Sequence, residues 1–222
     1  MFRIKICGVT SVDDARHIED AGADAIGLNF FPPSPRYVPI LTAMKISEAM
    51  ADRVCRVGLF VNTDPQQISE VAREVSLDLI QLHGNETSQL VADVAKRTNL
   101  PIIKAFRCRD SDLTSVLQFL QDQRSCQVEG VLLDAYSADQ FGGTGIQLDA
   151  EKLVRQIGLL GELPWVLAGG LTDQNVHQAI RLLRPFGVDT ASGVESEPGK
   201  KDVEMVRRFV QEAKKAFSEI LQ

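Results

Sequence analysis

The sequence predicts an α/β fold, a single (β/α)8 barrel of the TIM type, with residues 1–222 forming one catalytic domain. Short apolar segments alternate with amphipathic ones to the end of the chain, and no linker or low-complexity stretch interrupts them. Eight such units average about 28 residues, near the short end for this barrel. The alternative is a doubly wound open sheet, but a G-x-G-x-x-G fingerprint after the first strand is missing.

The predicted strands are short, apolar and followed by polar or glycine-bearing loops, as buried parallel strands are. They cover residues 3–7, 25–30, 55–61, 79–82, 102–106, 130–133, 165–168 and 188–190. Side chains alternate along the first strand. We expect Phe2, Ile4 and Ile6 to face the helices, and Arg3, Lys5 and Cys7 to face the lumen of the barrel.

The predicted helices carry their own signals. Asp64-Pro65 supplies an N-cap and a first-turn proline, and apolar residues follow at helical spacing. In that helix the apolar residues are Ile68, Val71, Ala72 and Val75. The same spacing marks two further helices, by Leu113, Val116, Leu117 and Leu120, and by Val176, Ala179, Ile180 and Leu183. A last amphipathic helix is predicted from about Asp202.

Composition excludes several classes of function. The chain is 44% hydrophobic and 24% charged, which is ordinary for a globular protein. A net charge of −6 argues against general affinity for nucleic acid or an anionic membrane. The four cysteines and three histidines are scattered, so the sequence predicts no metal site and no disulfide framework. With no apolar run near ~18 residues and a charged first strand, we expect a cytoplasmic protein.

Two residues at predicted strand ends are candidates for acid–base chemistry, because catalytic groups of this fold lie at the carboxyl ends of its strands. Cys7 ends the first strand and can be a base or simply a small buried apolar residue. Asp134 follows an apolar stretch, so a low-dielectric floor would help it to hold a proton. It can also be a loop cap.

Other strand ends suggest binding groups. Backbone N–H groups in glycine-bearing loops suit a phosphate, and the residues of these loops are Gly143, Gly145, Gly169, Gly170, Ser192 and Gly193. Arg36 ends a proline-stiffened loop and offers a planar fork to a carboxylate or a second phosphate, or else lies on the surface. Gln81 and His83 share a face at the end of the fourth strand and are expected to line the mouth and bind substrate. Lys5 needs a buried counter-charge. We predict that Asp189, in the strand beside the first in a closed barrel, provides it, and the alternative is Asp134 or a bound anion.

The blocks at successive strands, taken together, resemble the phosphoribosylanthranilate isomerase family of tryptophan biosynthesis. They lie in the family's order and cover nearly the whole chain. The blocks are Lys5-Ile6-Cys7-Gly8-Val9-Thr10, Ser34-Pro35-Arg36, Val57-Gly58-Leu59-Phe60-Val61-Asn62, Gln81-Leu82-His83-Gly84, Lys104-Ala105-Phe106, Leu132-Leu133-Asp134, Gly142-Gly143-Thr144-Gly145, Leu167-Ala168-Gly169-Gly170-Leu171 and Ser192-Gly193-Val194-Glu195.

The resemblance implies an aldose–ketose isomerase that performs an Amadori rearrangement without cofactor or metal. In that chemistry Asp134 is the acid, and Cys7 is the base. Arg36 would bind the substrate's carboxylate, and the glycine loops its phosphate. We expect Lys5 and the start of the first helix to favour the Cys7 thiolate. The substrate would be a small phosphorylated molecule, and the protein a monomer or homodimer. The alternatives are an epimerase-like sugar-phosphate barrel and a non-catalytic binder of a phosphate ligand.

Overall fold

Eight parallel strands close into a barrel in the computed structural model, which describes residues 1–109, 112–121, 128–136 and 150–220. The strands are β1 (Ile4–Cys7), β2 (Ala25–Asn29), β3 (Cys55–Phe60), β4 (Leu79–Leu82), β5 (Ile102–Arg109), β6 (Gly130–Tyr136), β7 (Trp165–Ala168) and β8 (Gly187–Thr190). Strand β1 pairs with both β2 and β8, which closes the sheet. The predicted (β/α)8 barrel is confirmed.

The helices surround the barrel, and the side chains of Ser11, Asp64 and Thr87 cap the N-termini of three of them. They are α1 (Val12–Ala21), α2 (Ile40–Ala49), α3 (Pro65–Glu74), α4 (Ser88–Thr98), α5 (Thr114–Gln121), α6 (Ala150–Ile157), α7 (Val176–Leu183) and α8 (Val203–Ile220). The Asp64 carboxylate accepts a hydrogen bond from the Gln66 backbone N–H, at 2.8 Å, so the predicted cap of α3 is confirmed. No helix within the described ranges is long and apolar enough to cross a bilayer.

Apolar side chains form two layers, one between strands and helices and one inside the barrel. Ile4 and Ile6 lie in the outer layer, as predicted. The prediction for Phe2 and Arg3 is wrong, because Phe2 belongs to the inner layer and Arg3 stacks 4.5 Å from the centre of the Phe186 ring. Strand β1 begins only at Ile4, so strand alternation does not extend back to these two residues.

Strands β5 and β6 are longer than predicted. They pair with each other from Ile103↔Gly130 to Arg109↔Tyr136, beyond the predicted ends at residues 106 and 133. Asp134 therefore lies within a strand, where the ladder to Arg107 holds its backbone. Cys108, which lies beyond the predicted end of the fifth strand at residue 106, is buried in β5.

The segment after β8 is not a simple turn into the last helix. A short 3-10 helix, Ser192–Val194, leads into an antiparallel pair of strands, β9 (Glu195–Glu197) and β10 (Lys200–Lys201). The Thr10 hydroxyl donates to the Gly199 carbonyl oxygen at 2.6 Å, which ties this hairpin to the loop after β1. The hairpin thus lies beside the end of the strand that carries Cys7.

Candidate active site

Lys5 and Asp189 form a buried ion pair in the lumen. The two residues are register partners in β1 and β8, so their side chains leave the sheet at the same level. The Lys5 Nζ atom lies 2.9 Å from the Asp189 Oδ1 atom, and the Lys5 side chain has no exposed surface. The predicted Lys5–Asp189 contact is confirmed.

Cys7 lies two residues beyond Lys5, with 7% of its surface exposed. Burial raises the pKa of the Cys7 thiol above its ordinary value, although Lys5 acts in the opposite direction by favouring the thiolate. Lys5 thus favours the thiolate in the predicted direction, but its effect does not outweigh burial. Lys5 already neutralises Asp189, so a Cys7 thiolate would add a further buried negative charge.

Asp134 faces His83 across the mouth. The Asp134 carboxylate is 27% exposed, and its Oδ2 atom lies 3.5 Å from His83 Nε2. The other ring nitrogen, Nδ1, lies 3.1 Å from the Gln81 amide nitrogen. An amide that donates to Nδ1 leaves the ring proton on Nε2, facing the carboxylate. Gln81 is fully buried, and its Oε1 atom has no hydrogen-bond partner among the described residues.

Arg36 reaches the same end of the barrel but is already paired. Its side chain packs on Gly8, where φ is +74° and a Cβ atom would collide with the Arg36 stem. The guanidinium donates to Glu195 from Nε at 2.9 Å and from Nη2 at 2.6 Å. Lys201 also donates to Glu195, at 2.6 Å. The sequence did not single out Lys201 or the Glu195 side chain, because this hairpin was not predicted.

Two of the three predicted phosphate loops lie together. Gly169 and Gly170 both have positive φ, +90° and +64°, after β7. Gly193 lies so close to the Leu171 carbonyl oxygen that any side chain there would collide with it. The first residues of a helical turn, here Ser192 and Gly193, have backbone N–H groups without partners in the turn itself. The third loop, with Gly143 and Gly145, lies outside the described residues.

A cavity of about 880 Å³ opens beside the mouth, between the loops after β3 and β4, the strand β5 and the helix α5. Its aromatic wall contains Phe31, Phe106 and Phe119, and of the predicted site residues that the structure describes, His83 alone is on its lining. Beneath it, Lys104 Nζ lies 3.0 Å from Glu86 Oε2, with both side chains buried. A lysine within the apolar run of β5 is the sequence signal that indicates such a pair.

An eight-stranded barrel with a thiol at the end of β1 and a carboxylic acid near the end of β6 belongs to the class of (β/α)8-barrel enzymes. The model of one family, N-(5'-phosphoribosyl)anthranilate isomerase, matches residues 4–212. The chain belongs to this family.

Relatives and solved structures agree with this assignment. The N-(5'-phosphoribosyl)anthranilate isomerase of Rubrobacter xylanophilus is 45% identical over 214 residues, covering 96% of this chain and 100% of the relative. That of Trichlorobacter lovleyi is 43% identical, with 98% and 100% covered.

The phosphoribosyl anthranilate isomerase of Thermotoga maritima has a TM-score of 0.85 and 38% identity, with 97% and 100% covered. A structure of a phosphoribosyl anthranilate isomerase with reduced 1-(o-carboxyphenylamino)-1-deoxyribulose 5-phosphate has a TM-score of 0.81 and 36% identity, with the same coverage.

Proposed function

We propose that this chain converts N-(5-phosphoribosyl)anthranilate into 1-(2-carboxyphenylamino)-1-deoxy-D-ribulose 5-phosphate, with Asp134 as the acid and Cys7 as the base. Membership of the isomerase family supports the reaction. The observation that carries the residue roles is the arrangement around the Lys5–Asp189 pair. Cys7 ends β1 two residues beyond Lys5, Lys5 binds Asp189 at 2.9 Å, and Asp189 interacts electrostatically with both Cys7 and Asp134.

The reaction needs one acid and one base and no change of oxidation state overall. Asp134 gives its proton to the ring oxygen of the ribose, the bond from C1 to that oxygen breaks, and an iminium ion forms. Cys7, as the thiolate, then takes the proton from C2, and the electron pair moves to give an enolamine. Tautomerisation of the enolamine yields the ketone. General acid–base steps of this kind contribute about 10²–10⁴-fold each.

Burial of Cys7 has a consequence for this mechanism. Because burial raises the pKa of the Cys7 thiol, the resting enzyme holds mostly the neutral thiol at neutral pH. The reactive form is the minority in which the thiol has lost its proton. Lys5 and Lys201 both favour that thiolate, so their charges raise the reactive fraction.

The phosphate and carboxylate of the substrate have separate candidate sites. The adjoining loops with Gly169, Gly170, Ser192 and Gly193 bind the phosphate in this proposal, and Gly143 and Gly145 contribute from the third loop. Arg36 binds the carboxylate, since Glu195 uses only one edge of its guanidinium. Gln81 and His83 bind substrate from the opposite side of the mouth, next to Asp134.

The deciding experiment is a direct assay with purified protein treated with a chelator. Loss of fluorescence from the anthranilate-linked substrate should follow addition of the protein, and product should appear in equal amount. An epimerase-like enzyme would leave this substrate unchanged and would convert a pentulose phosphate instead. A non-catalytic binder would bind the substrate without turnover, and changes at Cys7 and Asp134 would have no effect on that binding.

The assembly and location of the protein stay predictions. The related phosphoribosylanthranilate isomerase of Thermotoga maritima is dimeric, which supports the homodimer over the monomer. Light scattering over a range of protein concentrations would decide between them. A biosynthetic family supports a cytoplasmic location, and one catalytic domain over residues 1–222 would be seen as a single cooperative unfolding transition.

A further inference from the structure

Glu195 links two cations and the strand of the candidate base. Only 4% of its side chain is exposed, and its carboxylate accepts hydrogen bonds from Arg36 Nε, Arg36 Nη2 and Lys201 Nζ. These bonds outweigh burial and lower the pKa of Glu195, so the carboxylate is ionised at neutral pH. Because Arg36 and Glu195 are 159 positions apart in sequence, only the closed barrel brings them together.

Lys201 is fully used within the protein. Its ammonium donates to the Cys7 carbonyl oxygen at 2.6 Å, to the Ala191 carbonyl oxygen at 3.3 Å and to Glu195 at 2.6 Å. An ammonium has three protons, so these three bonds leave none for a ligand. Lys201 therefore fixes the end of β1, including the backbone of Cys7, to the hairpin that carries Glu195.

Arg36 differs because its guanidinium has five donors. Glu195 takes the edge formed by Nε and one proton of Nη2, which leaves Nη1 and the second Nη2 proton. The Arg36 side chain is 24% exposed, so the surrounding protein does not enclose it completely. Two cations and one carboxylate leave a single positive charge, which matches a single carboxylate on a ligand.

We infer that Glu195 is a positioning residue that sets specificity for a substrate with a carboxylate on its aromatic amine. It holds the guanidinium of Arg36 so that the Nη1/Nη2 edge faces the mouth, and through Lys201 it fixes that edge relative to Cys7. This inference rests on the proposed function, because the carboxylate is that of the anthranilate group.

The test compares two ligands and three proteins by calorimetric titration. The ligands are the reduced product analogue and the same molecule without its ring carboxylate. The proteins are the wild type, Glu195→Gln and the control Glu197→Gln. Glu197 lies on the same hairpin but is 67% exposed and pairs only with Lys200, at 3.3 Å, among the described residues.

Glu195→Gln should weaken binding of the carboxylate-bearing ligand about tenfold or more, because an amide cannot accept the bidentate charged contact. Binding of the ligand without the carboxylate should change less than about twofold, and Glu197→Gln should change neither. Glu195→Asp, which keeps the charge, should restore part of the selectivity and serves as the second variant if Glu195→Gln does not fold.

Four outcomes would overturn the inference. Equal weakening of both ligands by the Glu195 variants would mean general damage to the site, and unchanged binding would mean that Arg36 is held without Glu195. If the wild type and Glu195→Gln prefer the carboxylate-bearing ligand to the same extent, this inference is rejected and the proposed function is unaffected. A wild type that binds neither ligand rejects the proposed function together with it.

Discussion

Lys5–Asp189 and Lys104–Glu86 are both buried lysine–carboxylate pairs, separated by 2.9 Å and 3.0 Å, but their surroundings differ. Lys104 also donates to the carbonyl oxygens of Gly84 and Ala105, each at 2.9 Å. Glu86 accepts from the backbone N–H groups of Asn62 and Gly84. The second pair therefore holds loops together.

Lys5 instead has a titratable neighbour. Burial opposes its charge, but Asp189 and Cys7 together raise the pKa of Lys5 above its ordinary value. For Lys104, burial outweighs the single carboxylate of Glu86 and lowers its pKa. The same kind of ion pair can therefore tune chemistry or support a scaffold, depending on whether its remaining donors face a reactive group or backbone carbonyls.

The largest effect on turnover should come from changes at Cys7 and Asp134, the proposed base and acid near the Lys5–Asp189 pair. Cys7→Ser and Asp134→Asn should each lower turnover about 10²–10⁴-fold, because a hydroxyl barely ionises and an amide has no acidic proton to give. Thermal unfolding should stay nearly the same. Steady-state kinetics with the anthranilate substrate measure the loss. Retention of more than about a tenth of wild-type turnover would show that the role of that residue is wrong.

The Lys104–Glu86 pair should contribute to the stability of the fold. Lys104→Met leaves the Glu86 carboxylate buried and unpaired, which should lower the free energy of unfolding by about 3–5 kcal/mol. Urea unfolding measures it. The exposed pair of Lys200 and Glu197 offers the control, since Lys200→Met should cost no more than about 1 kcal/mol. An equal loss of unfolding free energy in Lys104→Met and Lys200→Met would contradict the scaffold role of the Lys104–Glu86 pair.

The Arg36–Glu195 pair is intermediate, with one edge bonded internally and one free. Arg36→Met should raise the Michaelis constant about tenfold or more, because a charge-assisted contact is worth roughly 1.5–3 kcal/mol. Arg56→Met is the matched control, since Arg56 pairs with Asp78 near the start of β3. If inhibition by product analogues with and without the carboxylate weakened equally in Arg36→Met, Arg36 would not be the carboxylate site.

The smallest effect should be a shift in the pKa of the Cys7 thiol. Lys5→Met removes the nearest cation, so the pKa of the Cys7 thiol should rise further above its already raised value. The thiolate then forms at higher pH, and the pH–rate profile should move to higher pH with it. Ultraviolet thiolate absorbance, corrected with a Cys7→Ser protein, follows the titration. Arg3→Met is the control, because Arg3 stacks on Phe186 rather than facing the lumen. An unshifted titration would show that Lys5 does not tune the thiol.

Most strands were predictable because their apolar runs are bounded by loop residues, and the pairing of Lys5 with Asp189 followed from neighbouring strands in a closed barrel. The ends of β5 and β6 were not predictable, because these strands extend by pairing with each other beyond the barrel's apolar layer. The predicted positions of Phe2 and Arg3 failed because the alternation was extended past the real start of β1.

The sequence was sufficient to predict the barrel, the family, and the positions of Cys7 at the end of β1 and Asp134 near the end of β6, because these depend on local periodicity and motif order. The pairing of the charged side chains at the mouth could be learned only from the tertiary structure. The Glu195 carboxylate binds Arg36 and Lys201 because a hairpin after β8 folds against the loop after β1. The protonation of Cys7 was decided by burial, which depends on every element packed around the lumen and on no single motif.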